Sequence, residues 1–124
     1  MTGSADSPSP DVVLRWSDVV PIHRSWRGVS VIEGKVVSLL CNQRKEGGYS
    51  DRVGLDELEY RVTANTLPED VRALLAAVAD GVVARVWEKL GTNQWRDLGN
   101  WRMLEVRDGG GGALVFVLRP QRAP

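Results

Sequence analysis

One amphipathic helix, over residues 68–80, constrains the fold of this chain more than any other sequence feature. Pro68 suits a first helical turn, two acidic residues follow it at the positive end of the helix dipole, and Gly81 favours termination. Apolar residues recur inside it at helical spacing, at Val71, Leu74, Leu75 and Val78. The rest of the chain is strand-like without regular βαβ alternation, so we predict an α+β fold: a curved mixed β-sheet or open β-barrel with one main helix.

Strand-like segments flank this helix on both sides. Residues 29–40 carry β-branched residues on either side of Gly34 and predict a hairpin or a bent strand. Residues 12–16 are a candidate first strand or buried extended segment. We expect a turn at 91–93 and a loose hairpin connection at the glycine run 109–112. Further strands are predicted over 58–62, 82–88, 101–106 and 113–119.

Length and composition indicate one domain over residues 11–124, preceded by a disordered tail over residues 1–10. No apolar run approaches the roughly 20 residues that cross a bilayer, and the tail lacks the features of a signal peptide. We therefore expect no membrane partner. Cys41 is the only cysteine, which excludes an intrachain disulfide and favours a reducing cytoplasm. We interpret Cys41 as buried filler rather than a nucleophile.

The charges balance at 16 basic and 16 acidic residues, which argues against a broad, non-specific electrostatic attraction to nucleic acid. A local excess of cations lies between residues 22 and 52. Trp26 and Trp95 neighbour arginines, which suits either nucleic-acid contacts or interfacial rings. The candidate contacts to a DNA backbone are Arg24, Arg27, Arg44, Lys45 and Arg52.

The sequence gives little indication of a catalytic or metal site. His23 is the only histidine, and we interpret it as a surface residue or a hydrogen-bonded loop residue rather than a general base. The glycine run lacks the Lys-Ser/Thr of a phosphate loop, and no Gly-x-Ser-x-Gly elbow occurs. Asp56, Glu57 and Glu59 suit a solvated strand edge better than a magnesium site. We expect no enzyme activity, no metal and no cofactor.

Both tyrosines of the chain lie in one short stretch. Gly47 and Gly48 permit a sharp turn or a close approach to a ligand, because they lack a Cβ. Tyr49 follows, Asp51 comes two residues later, and Tyr60 lies in a strand-like segment eleven residues after the first ring. Two rings on different elements could therefore face each other with a carboxylate between them. The alternative is that both tyrosines are half-buried strand residues.

The order of these elements resembles the SRA domain, the SET-and-RING-associated reader of modified cytosine in the PUA-like superfamily. The shared order is an apolar strand, a Gly-Gly-Tyr loop with an acid, a strand ending in tyrosine, a helix, and three further strand segments. It covers about residues 29–120, and the tyrosine loop is its specific part. The matching segments are 37–40, 47–51, 58–60, 73–79, 83–86, 100–106 and 116–120.

The resemblance implies a PUA-like module that binds double-stranded DNA containing 5-methylcytosine or a related C5-modified cytosine. The base would be flipped out and held between Tyr49 and Tyr60, with Asp51 accepting a hydrogen bond from its amine. The candidate pocket residues are Gly47, Gly48, Tyr49, Asp51, Tyr60 and Cys41. Cys41 is included because it is near enough in sequence to supply an apolar wall for the methyl group.

Bacterial readers of this kind are often joined to a nuclease, as in restriction, but no nuclease motif is visible in this chain. We therefore expect either a reader alone or a piece of a longer protein, with a nuclease as partner or fused domain in the second case. Two alternatives remain open. One is a PUA-like module that binds RNA or protein without base flipping, in which the tyrosines are structural. The other is a minimal enzyme that uses Asp51 or Glu57.

Overall fold

The computed structural model describes residues 12–25, 27–42, 51–63 and 66–121. Over these ranges the strands form one sheet in the order β1-β2-β5-β6-β7-β4-β3, in which β2 and β5 are parallel and the other pairs antiparallel. The elements are α1 (Trp16–His23), β1 (Val29–Ile32), β2 (Lys35–Cys41), β3 (Arg52–Val53), β4 (Leu58–Val62), α2 (Pro68–Asp80), β5 (Val83–Gly91), β6 (Gln94–Gly110) and β7 (Ala113–Pro120). The predicted α+β class with a mixed sheet is confirmed. Within the described ranges the sheet is not closed into a barrel, because β1 and β3 are its edges.

Helix α2 has the bounds that its sequence predicts. Ala73, Leu74 and Ala77 are buried, and the helix packs against β2 and β6. Leu75, which belongs to the predicted apolar pattern, is instead 41% exposed. Gly81 follows the helix with φ 62° and donates its N–H to carbonyls of the last turn. This left-handed conformation suits glycine, so the predicted end of the helix is confirmed.

Residues 12–16 do not form the predicted strand. Leu14 makes an isolated antiparallel bridge to Trp95. Its N–H donates to the Trp95 carbonyl at 2.7 Å, and its carbonyl accepts from the Trp95 N–H at 2.9 Å. The β-branched run therefore contributes one bridging residue to the sheet and then changes direction.

A short helix, α1, follows this bridge, and the sequence analysis missed it. The Asp18 carboxylate accepts the backbone N–H of Arg15 at 2.9 Å, which closes the first turn. Pro21 lies inside the helix. Val19 is fully buried in a small cluster with Trp87 and Trp95. The helix is thus stabilised mainly by tertiary packing rather than by the helix propensity of its residues.

The hairpin predicted over residues 29–40 is confirmed as β1 and β2, which meet at Gly34 with φ 78°. The predicted turn at 91–93 joins β5 to β6. Strand β6 is much longer than predicted, since it extends from before 101–106 into the glycine run. Only Gly111 and Gly112 form the turn to β7. Register shifts in both pairings of β6 indicate bulges, which bend a strand of this length and curve the sheet.

The main core joins α2 to the sheet and includes Tyr60, Cys41 and Trp101. Trp87 and Trp101 are 1% and 4% exposed, so their predicted core positions are confirmed. None of the helices in the described ranges has both the length and the hydropathy of a membrane span.

Candidate functional site

A pocket of about 420 Å³ lies where the ends of β2 and β4 meet the segment before β1 and the first turn of α2. Tyr60 and Cys41, two of the predicted pocket residues, line it together with Leu40. Its described lining consists of Arg27, Gly28, Val29, Leu40, Cys41, Asn42, Tyr60, Arg61, Val62, Thr63, Thr66, Leu67, Asp70, Lys89 and Trp95. The lining combines apolar side chains with charged and polar ones, and a concave site that offers both is typical of a small-molecule or base-sized site.

Tyr60 belongs to the pocket wall and to the core at once. Its side chain is 4% exposed and lies in β4, paired with Phe116 of β7. Gly28 makes room for its hydroxyl, because a Cβ on Gly28 would lie 2.6 Å from the Tyr60 Oη. Burial raises the pKa of Tyr60 well above its ordinary value, and the charges of Asp51, Cys41 and Asp70 raise it further. The side chain is therefore a neutral phenol, and only a small part of it is exposed.

Asp51 is 1% exposed and binds the ends of two strands together. Its Oδ2 accepts the backbone N–H of Asn42 at 2.8 Å, and its Oδ1 accepts the backbone N–H of Arg61 at 2.8 Å. Its own N–H donates to the Asn42 carbonyl at 3.1 Å. Because β2 and β4 are not neighbours in the sheet, these bonds bring two separate walls of the pocket together. Asp51 lies behind the described lining rather than in it. Its contact with a base amine stays a prediction.

A second buried acid, Asp70, lines the pocket and was not among the predicted site residues. Arg27 donates to it twice, from Nε to Oδ2 at 2.9 Å and from Nη2 to Oδ1 at 3.0 Å. The Asp70 side chain is 3% exposed, whereas that of Arg27 is 48% exposed. The sequence assigns Asp70 only to the helix dipole, and the two residues lie 43 positions apart. No local pattern could have paired them.

His23 is not the surface or loop residue that the sequence predicts. It is the last residue of α1 and is fully buried. Its Nε2 lies 2.7 Å from the Arg27 carbonyl, to which it donates, and its Nδ1 lies 2.6 Å from the Ser38 Oγ. Burial lowers the pKa of His23, although the bond to the Arg27 carbonyl opposes this effect. The neutral ring therefore accepts a hydrogen bond from Ser38 and fixes the backbone beside the pocket. The predicted hydrogen bonding of His23 is confirmed, whereas its predicted position at the surface or in a loop is wrong.

The predicted backbone contacts lie in different places. Arg24 is exposed with φ 59°, and Arg27 borders the pocket. Arg52 is 77% exposed and lies in a separate depression, 3.9 Å from Glu59. Two cations that the sequence analysis did not select, Arg61 and Lys89, line the pocket. The predicted residues outside the described ranges are Arg44, Lys45, Gly47, Gly48 and Tyr49, together with Trp26.

Trp95, the other candidate ring, is only 8% exposed, but it borders the pocket. Lys89 Nζ lies 6.0 Å from the centroid of its ring. The indole therefore combines a core position with a cation at the pocket edge.

Glu59, one of the three acids of the predicted solvated strand edge, lies near three arginines. Glu59 lies 3.9 Å from Arg52, 3.9 Å from Arg61 and 3.8 Å from Arg107. Across the described ranges, no group of three or more His, Cys, Asp or Glu residues is arranged to hold a metal ion.

Solved structures resemble this fold over nearly its full length. The SUVH5 SRA in complex with hemimethylated CG DNA has a TM-score of 0.72 at 18% identity, covering 99% of this chain and 93% of that one. The SUVH5 SRA bound to fully hydroxymethylated CG DNA has a TM-score of 0.68 at 18% identity, with coverage of 99% and 93%. The chain has the SRA fold. Arabidopsis thaliana SUVH6 in complex with SAM contains the same fold, with a TM-score of 0.65 at 17% identity over 90% of this chain and 25% of that one.

No protein-family model and no curated protein matches the chain by sequence. The structural matches alone confirm the resemblance to the SRA domain that we inferred from the sequence, and they confirm it at the level of the fold.

Proposed function

We propose that this chain is a DNA-binding module that recognises a C5-modified cytosine by flipping it into the pocket beside Tyr60. The observation that carries the proposal is this pocket of about 420 Å³ within an SRA fold. Crystal structures of that fold contain methylated and hydroxymethylated DNA. Binding, rather than turnover, is the activity that we assign to the site.

The chemistry of the walls supports this assignment. Base flipping costs a few kcal/mol, whereas stacking on an aromatic face returns about 1 to 3 kcal/mol per base. Tyr60 would supply one such contact, and Tyr49 is proposed as the second ring. A methyl group contributes only about 0.8 kcal/mol on transfer to an apolar wall. Discrimination therefore requires close contact, which Leu40 and Cys41 would provide, since both line the pocket.

A titration against matched duplexes tests the proposal. The purified chain is measured against labelled duplexes that differ only at one cytosine, which is plain, methylated or hydroxymethylated. We expect tighter binding to a modified duplex and weaker binding to the plain one. A single-stranded RNA of the same sequence is the rival ligand. Equal binding to all duplexes, or a preference for RNA, contradicts the proposal.

Tyr60→Leu tests the ring itself. Leucine keeps most of the apolar volume but removes the π face, so affinity for the modified duplex should fall by about 1 to 3 kcal/mol. Tyr60→Ala is a poor probe because the side chain is 4% exposed and packs in the main core, so alanine would also lower the stability of the fold. Unchanged affinity in a folded Tyr60→Leu protein counts against the pocket.

Exposed cations would contact phosphates. Arg24→Ala and Arg52→Ala should each weaken binding to modified and plain duplexes alike and reduce the salt slope by about 0.9. Arg72, an exposed residue on α2 that does not line the pocket, provides a matched control as Arg72→Ala. A loss confined to the modified duplex would indicate pocket contacts instead.

Any cleavage would be supplied by another domain or chain. Incubating the purified chain with Mg²⁺ and a plasmid that contains modified cytosine tests this part of the proposal. The plasmid should stay supercoiled. Nicking that is lost in Asp51→Asn or Glu57→Gln would favour the alternative of a minimal enzyme.

A further inference from the structure

Among the residues that the structure describes, the Asp70–Arg27 pair has hydrogen-bonding capacity left over at the pocket. Each Asp70 oxygen accepts one N–H from Arg27, and a carboxylate oxygen has two lone-pair sites. Arg27 uses two of the five N–H groups that a guanidinium carries. Both residues line the pocket. The pair therefore presents acceptors and donors side by side in one wall.

This pattern is complementary to the pairing edge of cytosine. Cytosine offers an amine donor at N4 beside acceptors at N3 and O2. Thymine carries the same C5 methyl group but has an acceptor in place of the amine and an N–H at position 3. A carboxylate with an adjacent guanidinium satisfies the first edge, but it places a carboxylate against a carbonyl oxygen on the second.

The other buried acid near the pocket is less suited to this contact. Both Asp51 oxygens accept backbone N–H groups, and the residue lies behind the lining. Asp70 reaches the cavity, and its partner is a side chain rather than the backbone. A half-exposed arginine can adjust its position when a ligand enters, whereas backbone donors cannot.

We propose that the Asp70–Arg27 pair is the element that selects cytosine over thymine in this pocket. Asp70 accepts a hydrogen bond from the N4 amine, and Arg27 donates to N3 or O2. Arg27 then acts inside the pocket rather than as a phosphate contact. This inference rests on the proposed function, since it requires a flipped pyrimidine.

The test compares two duplexes that differ only in the target base opposite guanine, 5-methylcytosine or thymine. The ratio of the two affinities is measured for wild type and each variant, which cancels the different flipping costs of the paired and mismatched bases. Asp70→Asn should lower the preference for 5-methylcytosine about tenfold or more, because an amide cannot keep both the ion pair and the acceptor. Glu69→Gln is the matched control, since it removes a charge from the same helical turn but does not line the pocket.

Arg27→Lys provides a second variant should Asp70→Asn fail to fold. It keeps the charge at a half-exposed position but loses the planar fork, so the preference should also fall. Thermal unfolding of each protein verifies the fold.

The outcomes separate the two proposals. If wild type does not distinguish modified from plain duplexes, the proposed function fails, and this inference fails with it. If wild type does distinguish them but folded Asp70→Asn keeps the cytosine-to-thymine ratio, only the inference is overturned. An equal loss of affinity for both duplexes also overturns it, since Asp70 would then only position Arg27.

Discussion

Two buried aspartates lie beside the same pocket and differ in what holds them. Asp51 accepts hydrogen bonds from the backbone N–H groups of Asn42 and Arg61. Asp70 accepts from the side chain of Arg27, which is 48% exposed. The backbone donors have no alternative position in the folded chain, whereas the arginine can rotate toward solvent or a ligand. Asp51 therefore stabilises the fold, whereas Asp70 can exchange its partner for a ligand in the pocket.

Asp51→Ala should have the largest effect on stability. The change leaves two partly buried N–H groups without this acceptor, and each such loss costs about 1 to 3 kcal/mol. We expect the free energy of unfolding to fall by roughly 2 to 4 kcal/mol, measured by urea denaturation. Glu57→Ala, at an exposed position between β3 and β4, is the control and should change little. A loss below about 1 kcal/mol for Asp51→Ala would mean that Asp51 stabilises the fold no more than Asp70 does, which would contradict the contrast between them.

The contrast between these acids also explains what the sequence could predict. Helix α2 and the β1–β2 hairpin follow from patterns within a few residues, and both are confirmed. The SRA fold could be inferred because the order of such local elements suffices to suggest it. Asp51 could be selected because it lies near a tyrosine in the chain.

The Asp70–Arg27 contact could not be predicted in this way. It joins positions 43 residues apart, and the packing of α2 against the sheet, rather than any motif, brings them together. His23 was misjudged for a related reason: its burial depends on Trp16 and Trp87, whose rings lie 6.3 and 6.1 Å from the imidazole. A helix as short as α1 carries too few residues for periodicity to reveal it.

Gly28→Ala should have the next largest effect and tests the wall beside Arg27. A Cβ at this position would lie 2.6 Å from the Tyr60 Oη, closer than any normal contact. Overpacking of this kind costs about 1 to 3 kcal/mol. Gly28→Ala should cost much less stability when it is introduced into the Tyr60→Phe variant than when it is introduced into wild type, because the clashing oxygen is absent. If the two changes are simply additive, the hydroxyl does not determine the need for glycine.

Asp70→Ala should be milder than Asp51→Ala. It releases a half-exposed arginine into water and leaves no backbone donor unsatisfied, so we expect a loss of about 1 kcal/mol by urea denaturation. Glu69→Ala, in the same turn, is its control. A loss of about 3 kcal/mol or more would mean that the pair behaves as a buried ion pair, and the contrast with Asp51 would disappear.

The smallest predicted effect concerns the pH dependence of the wall that contains Arg27. Burial lowers the pKa of His23, so the unfolded chain takes up a proton on this residue at a higher pH than the folded chain does. Stability should be full above the ordinary histidine value of 6.5 and should decrease as pH falls below it. Between pH 7 and pH 6 we expect a loss of less than about 1 kcal/mol, measured by urea denaturation.

Since His23 is the only histidine, His23→Gln should be less stable than wild type but should lack this slope. Stability that rises as pH falls toward 6 would have the opposite meaning. The imidazole would then be charged in the folded chain and would donate to both the Arg27 carbonyl and the Ser38 hydroxyl. In that case Asp70 would have two cations nearby, Arg27 and His23. The surroundings of Asp70 and Asp51 would then differ in charge as well as in hydrogen bonding.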